Sequence, residues 1–199
     1  MLLLLSAPSG GGKTTLCCRL REEFPDIFYS ISCTTRRPRQ GEVDGRDYFF
    51  LDMEEFRRRA DRGALLESAL VHDYAYGTPR APVEEALRAG RDVLMDIDVQ
   101  GAARIRDLLR REPQSLLGRS YVDVFIMPPD EATLRRRLEG RAQDDAATIE
   151  RRLHNALEEM RWLDQYQYAL VNDNLEAAYD RLRAILLAEH CRVIAGRNA

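Results

Sequence analysis

Ala7-Pro8-Ser9-Gly10-Gly11-Gly12-Lys13-Thr14 decides how the rest of the chain is read. It matches the phosphate-loop pattern G-x-x-x-x-G-K-[ST] at every defined position but the first, where Ala7 stands for glycine. Upstream, Leu2 to Leu5 is a continuous apolar run of the kind that forms a parallel strand buried on both faces. Downstream, Leu16, Leu20 and Phe24 recur at helical spacing until Pro25 stops them. A strand, a glycine-rich loop and a helix in that order gather backbone N–H groups and a helix N-terminus around one concave anion site. In such a loop the lysine reaches the β- and γ-phosphates and the following hydroxyl reaches Mg²⁺. Ala7, Pro8, Ser9, Gly10, Gly11, Gly12, Lys13, Thr14 and Thr15 are therefore expected to bind the phosphates of a nucleotide, with Thr14 on the metal. Lys13 is also the only lysine in the chain, every other basic side chain but three histidines being arginine. A compact ammonium on a flexible stem fits inside such a loop where a broad guanidinium does not.

Working outward, 199 residues allow one compact domain carrying insertions. With 45% hydrophobic and 32% charged residues and a net charge of −3, the chain is neither disordered nor a polycation, so phosphate binding must come from local clusters of arginine. No nucleic-acid partner is expected. The apolar run at Leu2 to Leu5 is too short for a signal peptide and lacks a basic flank, and no segment is long enough to span a bilayer, so a cytoplasmic location without membrane association is expected. The cysteines at 17, 18, 33 and 191 have neither metal-ligand spacing nor a disulfide framework and are expected as reduced thiols. Cys17 and Cys18 are expected to be two buried small hydrophobes.

Further strand candidates are Phe28–Ile31, Val93–Ile97, Tyr121–Met127 and Tyr168–Val171, separated by helical patterns. That alternation predicts an α/β fold around a five-stranded parallel core sheet flanked by helices. Between the second and third strands, an insertion reaches a short aromatic strand at Tyr48–Leu51. Asp52 and Glu55 then form a capping box for a helix stopping at Gly63, and a second helix follows Pro82 and stops at Gly90. A further arginine-rich helical insertion follows Met127. The run Ser32-Cys33-Thr34-Thr35-Arg36-Arg37-Pro38-Arg39 packs hydroxyls and guanidiniums tightly enough to suit a second phosphate. Asp96 and Asp98 fall at the end of an apolar strand, where open α/β sheets bind ligands.

Ser6-Ala7-Pro8-Ser9-Gly10-x-Gly-Lys-Thr, Thr34-Thr35-Arg36-x-Pro38-Arg39-x-Gly41-Glu42-x-x-Gly45-x-x-Tyr48-Phe49, Tyr76-Gly77-Thr78, Asp96-Ile97-Asp98-x-Gln100-Gly101, Arg137-Leu138-x-Gly140-Arg141 and Val171-Asn172-Asp173 together resemble guanylate kinase, in order and across nearly the whole chain. The resemblance implies a nucleoside monophosphate kinase fold with a P-loop core (1–31, 89–130 and 156–199), a GMP-binding subdomain (32–88) and a helical lid (131–155). It implies Mg²⁺-assisted phosphoryl transfer from ATP to GMP, with dGMP also accepted, in a monomer or homodimer. Carried over by position, Ser32, Arg36, Arg39, Tyr48 and Tyr76 hold the GMP phosphate, while Glu67, Thr78 and Asp98 face guanine. Asp96 serves the metal directly or through water, and the Asp96–Asp98 pair orients the acceptor-site arginine. Lys13, Arg36, Arg137, Arg141 and Arg152 stabilise the transferred phosphoryl group, and Asn172 lies on the adenine side. Guanine offers two donors beside one acceptor, which a carboxylate and a hydroxyl complement. The chain departs from the family pattern at Ala7, at Asp73-Tyr74-Ala75 and at Ala142. Two rival readings remain. A non-catalytic scaffold relative would be expected to lose the loop, and a kinase for another phosphorylated acceptor would be expected to lack Glu67 together with Thr78.

Overall fold

The structure, a computed structural model, describes residues 1–71, 73–140 and 145–193. Five parallel strands, β1 (Leu2–Ser6), β2 (Phe28–Tyr29), β7 (Val93–Asp96), β8 (Tyr121–Met127) and β9 (Tyr168–Val171), form the core sheet in the order β2-β7-β1-β8-β9. The apolar run of β1 is explained by its central place. Leu3 and Leu5 point into one layer with Leu16, Leu20, Leu182 and Leu186, under helices α1 (Lys13–Glu23) and α8 (Leu175–His190). Leu2 and Leu4 point into the other, with Val83, Leu87, Ile105 and Leu117. That layer is covered by α3 (Arg80–Arg88), α4 (Val99–Arg111) and α5 (Leu116–Ser120). After β1 the chain moves to one edge of the sheet and later to the other, so the switch point of the topology lies at the carboxyl end of β1, where the glycine-rich loop begins.

A second sheet, ordered β4-β3-β6-β5, consists of β3 (Cys33–Thr34), β4 (Phe49–Phe50), β5 (Leu65–Val71) and β6 (Tyr74–Pro79). It packs Cys33, Leu65 and Ala75 against Phe56 of α2 (Met53–Asp61), which Asp52 caps through the Glu55 amide at 2.7 Å. A third cluster joins Leu134 and Leu138 of α6 (Glu131–Glu139) to Leu153 and Ala156 of α7 (Ala146–Met160).

The sequence pattern places the five core strands correctly but makes two too long: β2 ends at Tyr29 and β7 at Asp96. The helix expected after Pro82 starts at Arg80, with Pro82 tolerated in its first turn, where no amide partner is needed. Strands β5 and β6 carry no clear period-two alternation and are found only in the folded chain. Cys17 is buried, but Cys18 faces solvent, because adjacent residues on a helix point about 100° apart. All four cysteines are free thiols. Among the described residues no helix is long and apolar enough to cross a membrane.

Candidate active site

The loop after β1 turns through Gly10 and Gly12, both in the left-handed region (φ 88° and 91°). Gly12 opens α1 without a side-chain cap, and the first turn of that helix carries no acidic residue. Helices α2, α4, α5, α6, α7 and α8 are all capped by an Asp, Ser or Asn side chain. The amides at the start of α1 are thus left for an external anion. The loop is tightly walled. A Cβ at Gly12 would lie 2.2 Å from Nδ2 of Asn172, and one at Gly10 would lie 2.9 Å from Cδ1 of Leu134. The Asn172 side chain donates to the Gly11 carbonyl at 2.9 Å.

Lys13 pairs with the Asp96 carboxylate and donates to the Ile97 carbonyl at 3.0 Å. Burial opposes its charge, yet Asp96, and more weakly Asp98, hold the ammonium above its ordinary pKa. Beside the loop a cavity of about 470 Å³ is lined by Gly10, Gly12, Thr15, Arg137, Asn172 and Leu175. Arg137 of α6 donates from Nη2 to the Asn172 carbonyl at 2.8 Å, and its buried Nη1 has no hydrogen-bond partner among the described residues. Thr14 and Thr15 are exposed at the loop, and Arg152 lies half-buried on α7. Arg141 and Ala142 lie outside the described residues.

The second cluster is built on the smaller sheet. Glu67 of β5 and Thr78 of β6 are cross-strand partners, and the Thr78 hydroxyl donates to Oε1 of Glu67 at 2.9 Å. Burial, reinforced by the nearby Asp98, pushes the Glu67 carboxyl up to about 7, with the Thr78 hydrogen bond and Arg104 opposing. Asp98 caps α4 through the Gly101 amide at 2.7 Å and lies within electrostatic reach of both Glu67 and Lys13. Arg36 lies 5.5 Å from the Tyr48 ring centroid, and Tyr48 packs edge-on to Tyr76 at 6.1 Å. Burial raises the Tyr48 hydroxyl pKa, and that hydroxyl lies within electrostatic reach of Tyr76, Asp96, Arg36 and Lys13, so the two clusters are neighbours. Ser32 is half-buried and Arg39 exposed. The expectation that Asp96 and Asp98 orient Arg36 is corrected: its guanidinium is paired with Glu42, while Asp96 holds Lys13 and Asp98 caps a helix.

Glu159 was not singled out by the sequence reading. It lies one heptad beyond Arg152 on the same face of α7, beside the Ser9 amide and in reach of Lys13 and Asp98, and burial raises its carboxyl pKa. Its spacing from Arg152 was the available signal. Thr14 and Asp96 offer a hydroxyl and a carboxylate, hard oxygen donors of the kind Mg²⁺ takes.

The sequence profile described as guanylate kinase matches residues 1–189. A guanylate kinase from a Ruegeria species is 44% identical over 194 residues, 98% of this chain and 86% of that protein. One from Nitratidesulfovibrio vulgaris is 50% identical over 189 residues, 95% of this chain and 87% of that protein. The crystal structure of guanylate kinase from Anaplasma phagocytophilum superposes with a TM-score of 0.76 at 34% identity, covering 98% of this chain and 90% of that one.

Proposed function

Because the chain belongs to the guanylate kinase family, it is a phosphotransferase that converts GMP to GDP with ATP as donor, and we propose that its two residue clusters divide that work. The glycine-rich loop, Lys13 and Thr15 hold the donor phosphates, with Arg137 and Asn172 on the walls of the donor cavity. Residues 32–88 form the acceptor subdomain, whose last helix, α3, packs onto the core sheet, and 131–155 form the lid. Residues 1–31, 89–130 and 156–199 form the core that carries both.

On the acceptor side, Glu67 accepts from guanine N1–H and N2–H₂ while Thr78 meets O6, with Asp98 alongside. Ser32, Arg36, Arg39, Tyr48 and Tyr76 take the phosphate. That phosphate is already an anionic nucleophile and needs no general base, so the catalytic groups are positive charges placed around the transferred phosphoryl: Lys13, Arg36, Arg137, Arg141 and Arg152. Thr14 and Asp96 would hold Mg²⁺, which neutralises phosphate charge and orients the donor. The Lys13 ammonium has three donors, of which Asp96 and the Ile97 carbonyl take two, so one is left for a donor phosphate.

The observation that carries this reading is the Glu67–Thr78 pair standing in electrostatic reach of Asp98, which in turn reaches Lys13. Every assigned acceptor contact is to base or phosphate, so dGMP is also a substrate. An ADP-release assay over GMP, dGMP, AMP, CMP and UMP tests it: turnover confined to the two guanine nucleotides and abolished by chelation of Mg²⁺ is expected, and comparable turnover of AMP would refute the assignment of Glu67.

A further inference from the structure

The acceptor reading assigns Arg36 to the GMP phosphate but gives no role to the carboxylate that holds it. We propose that Glu42 is a positioning residue, setting the Arg36 guanidinium so that only one edge of its fork is left for the phosphate of GMP. The inference rests on the reading of Arg36 as a phosphate ligand.

A guanidinium has five N–H donors in one plane. Here Nη1 donates to Glu42 Oε2 at 2.9 Å and to the Arg37 carbonyl at 2.8 Å, and Nη2 donates to Glu42 Oε1 at 2.8 Å. These three bonds fill the Nη1–Nη2 end of the fork. The two donors left, on Nε and Nη2, point out from the same side edge, the parallel pair that suits two phosphate oxygens. The faces of the group are also confined, with the Tyr48 ring centroid at 5.5 Å and that of Phe50 at 5.9 Å, and the Tyr76 hydroxyl stands within hydrogen-bonding reach of the guanidinium. Plane and rotation are therefore both set before ligand arrives.

The same carboxylate does a second job. Glu42 Oε2 accepts the Arg39 backbone N–H at 2.7 Å, closing the turn so that both arginines of the phosphate site leave one small loop. With side-chain exposures of 11% for Arg36 and 20% for Glu42, this is not a loose surface pair. Arg36 and the Arg39 amide hold the Glu42 carboxyl down to about 2, so it stays ionised over the working pH range.

Two effects of Glu42 on GMP oppose each other. Its charge partly cancels that of Arg36, which weakens attraction for phosphate. Its geometry preorganises the fork, which removes the cost of freezing a long side chain when GMP binds. The cancelled charge weakens attraction without removing a contact, whereas a bidentate contact is lost outright when the fork turns away, so geometry wins. The sign of the effect decides between them.

The test compares wild type, Glu42→Gln, Glu42→Asp and Arg36→Ala by calorimetric titration with GMP, by guanosine as a competitive inhibitor, and by steady-state kinetics. Glu42→Gln is expected to weaken GMP by about tenfold and to lower kcat as well, since Arg36 is counted among the charges around the transferred phosphoryl, with the KM for ATP changed by less than about threefold. Guanosine has no phosphate, so its inhibition constant stays as in wild type. A sheet that had merely loosened would lose guanosine and GMP together. Glu42→Asp keeps the charge but withdraws it by one methylene, and is expected to be impaired as well. Unchanged or tighter GMP binding in Glu42→Gln, parallel loss of guanosine, or full activity in Glu42→Asp would each overturn the proposal. Arg36→Ala keeps the two claims apart. If it leaves GMP affinity intact, the phosphate-site reading fails. If it weakens GMP while Glu42→Gln does not, that reading stands and positioning by Glu42 fails.

Discussion

In its proposed role, Glu67 is caught between two demands, since guanine's donors need it as a carboxylate while its burial favours the neutral acid. With its pKa at about 7 in the ligand-free protein, kcat/KM for GMP should rise about tenfold per pH unit up to neutrality and then level off. At about pH 6 it should stand near a tenth of the plateau. GMP itself loses a phosphate proton near pH 6 (second pKa about 6), which adds a lower inflection common to every variant. Glu67→Gln should abolish only the upper one. It should also lower the plateau by about 10- to 100-fold, because an amide donor then faces guanine's donors. The same shift, from 4.5 to about 7, corresponds to at most about 3 kcal/mol of stability. The unfolded chain releases this proton first, so between those pH values the folded state binds more protons and stability falls as pH rises. Glu67→Gln relieves that cost, and at ~2–4 °C per kcal/mol its Tm at about pH 8 should exceed wild type by several degrees, the gain vanishing near pH 4 (below the unfolded pKa). Paired pH profiles of kcat/KM and of Tm check both arms. Identical kinetic profiles in the two proteins, or a Tm gain that persists in acid, would refute the reasoning.

Lys13→Met should lower kcat at least about 100-fold with little change in Tm, because the ammonium acts on charge that develops in the transition state; near-normal turnover would remove the loop from the donor site. Gly12→Ala combines a left-handed backbone with a Cβ at 2.2 Å from Asn172 Nδ2, so it should raise the KM for ATP sharply, and adding Asn172→Ala should restore only the steric part. Asp123 is fully buried and bonds Arg106 at 2.9 Å, Tyr121 at 2.6 Å and the Gln167 amide at 2.8 Å, so Asp123→Ala strands a buried guanidinium. Denaturant titration should show a loss of about 3–5 kcal/mol, and a smaller loss in the Arg106→Met/Asp123→Leu pair.

The strand, loop and helix around Ala7 to Thr15 were legible in the sequence because each depends on near neighbours: an apolar run buried on both faces, glycines that alone accept φ near 90°, and a helix stopped by proline. Individual acceptor residues were named only through their match to a family pattern, since a lone Glu67 or Thr78 carries no local signal. What brings them together is the register of β5 on β6, irregular between Leu65 and Glu67, and no period in Leu65–Val71 announces that pairing. The partners of the charged groups were likewise decided by the fold. Asn172 reaches Gly11 across 161 residues and Lys13 finds Asp96 on a neighbouring strand's end, contacts set by strand order and not by spacing along the chain. Glu42 is six residues from Arg36, close enough to be seen, yet its bidentate grip depends on a turn whose closure at Arg39 only the folded backbone shows. Local order follows from short-range sterics and patterning, while the protonation of Glu67 follows from burial and from charge delivered by a distant segment, and the aim of Arg36 from the folded turn that brings Glu42 onto it.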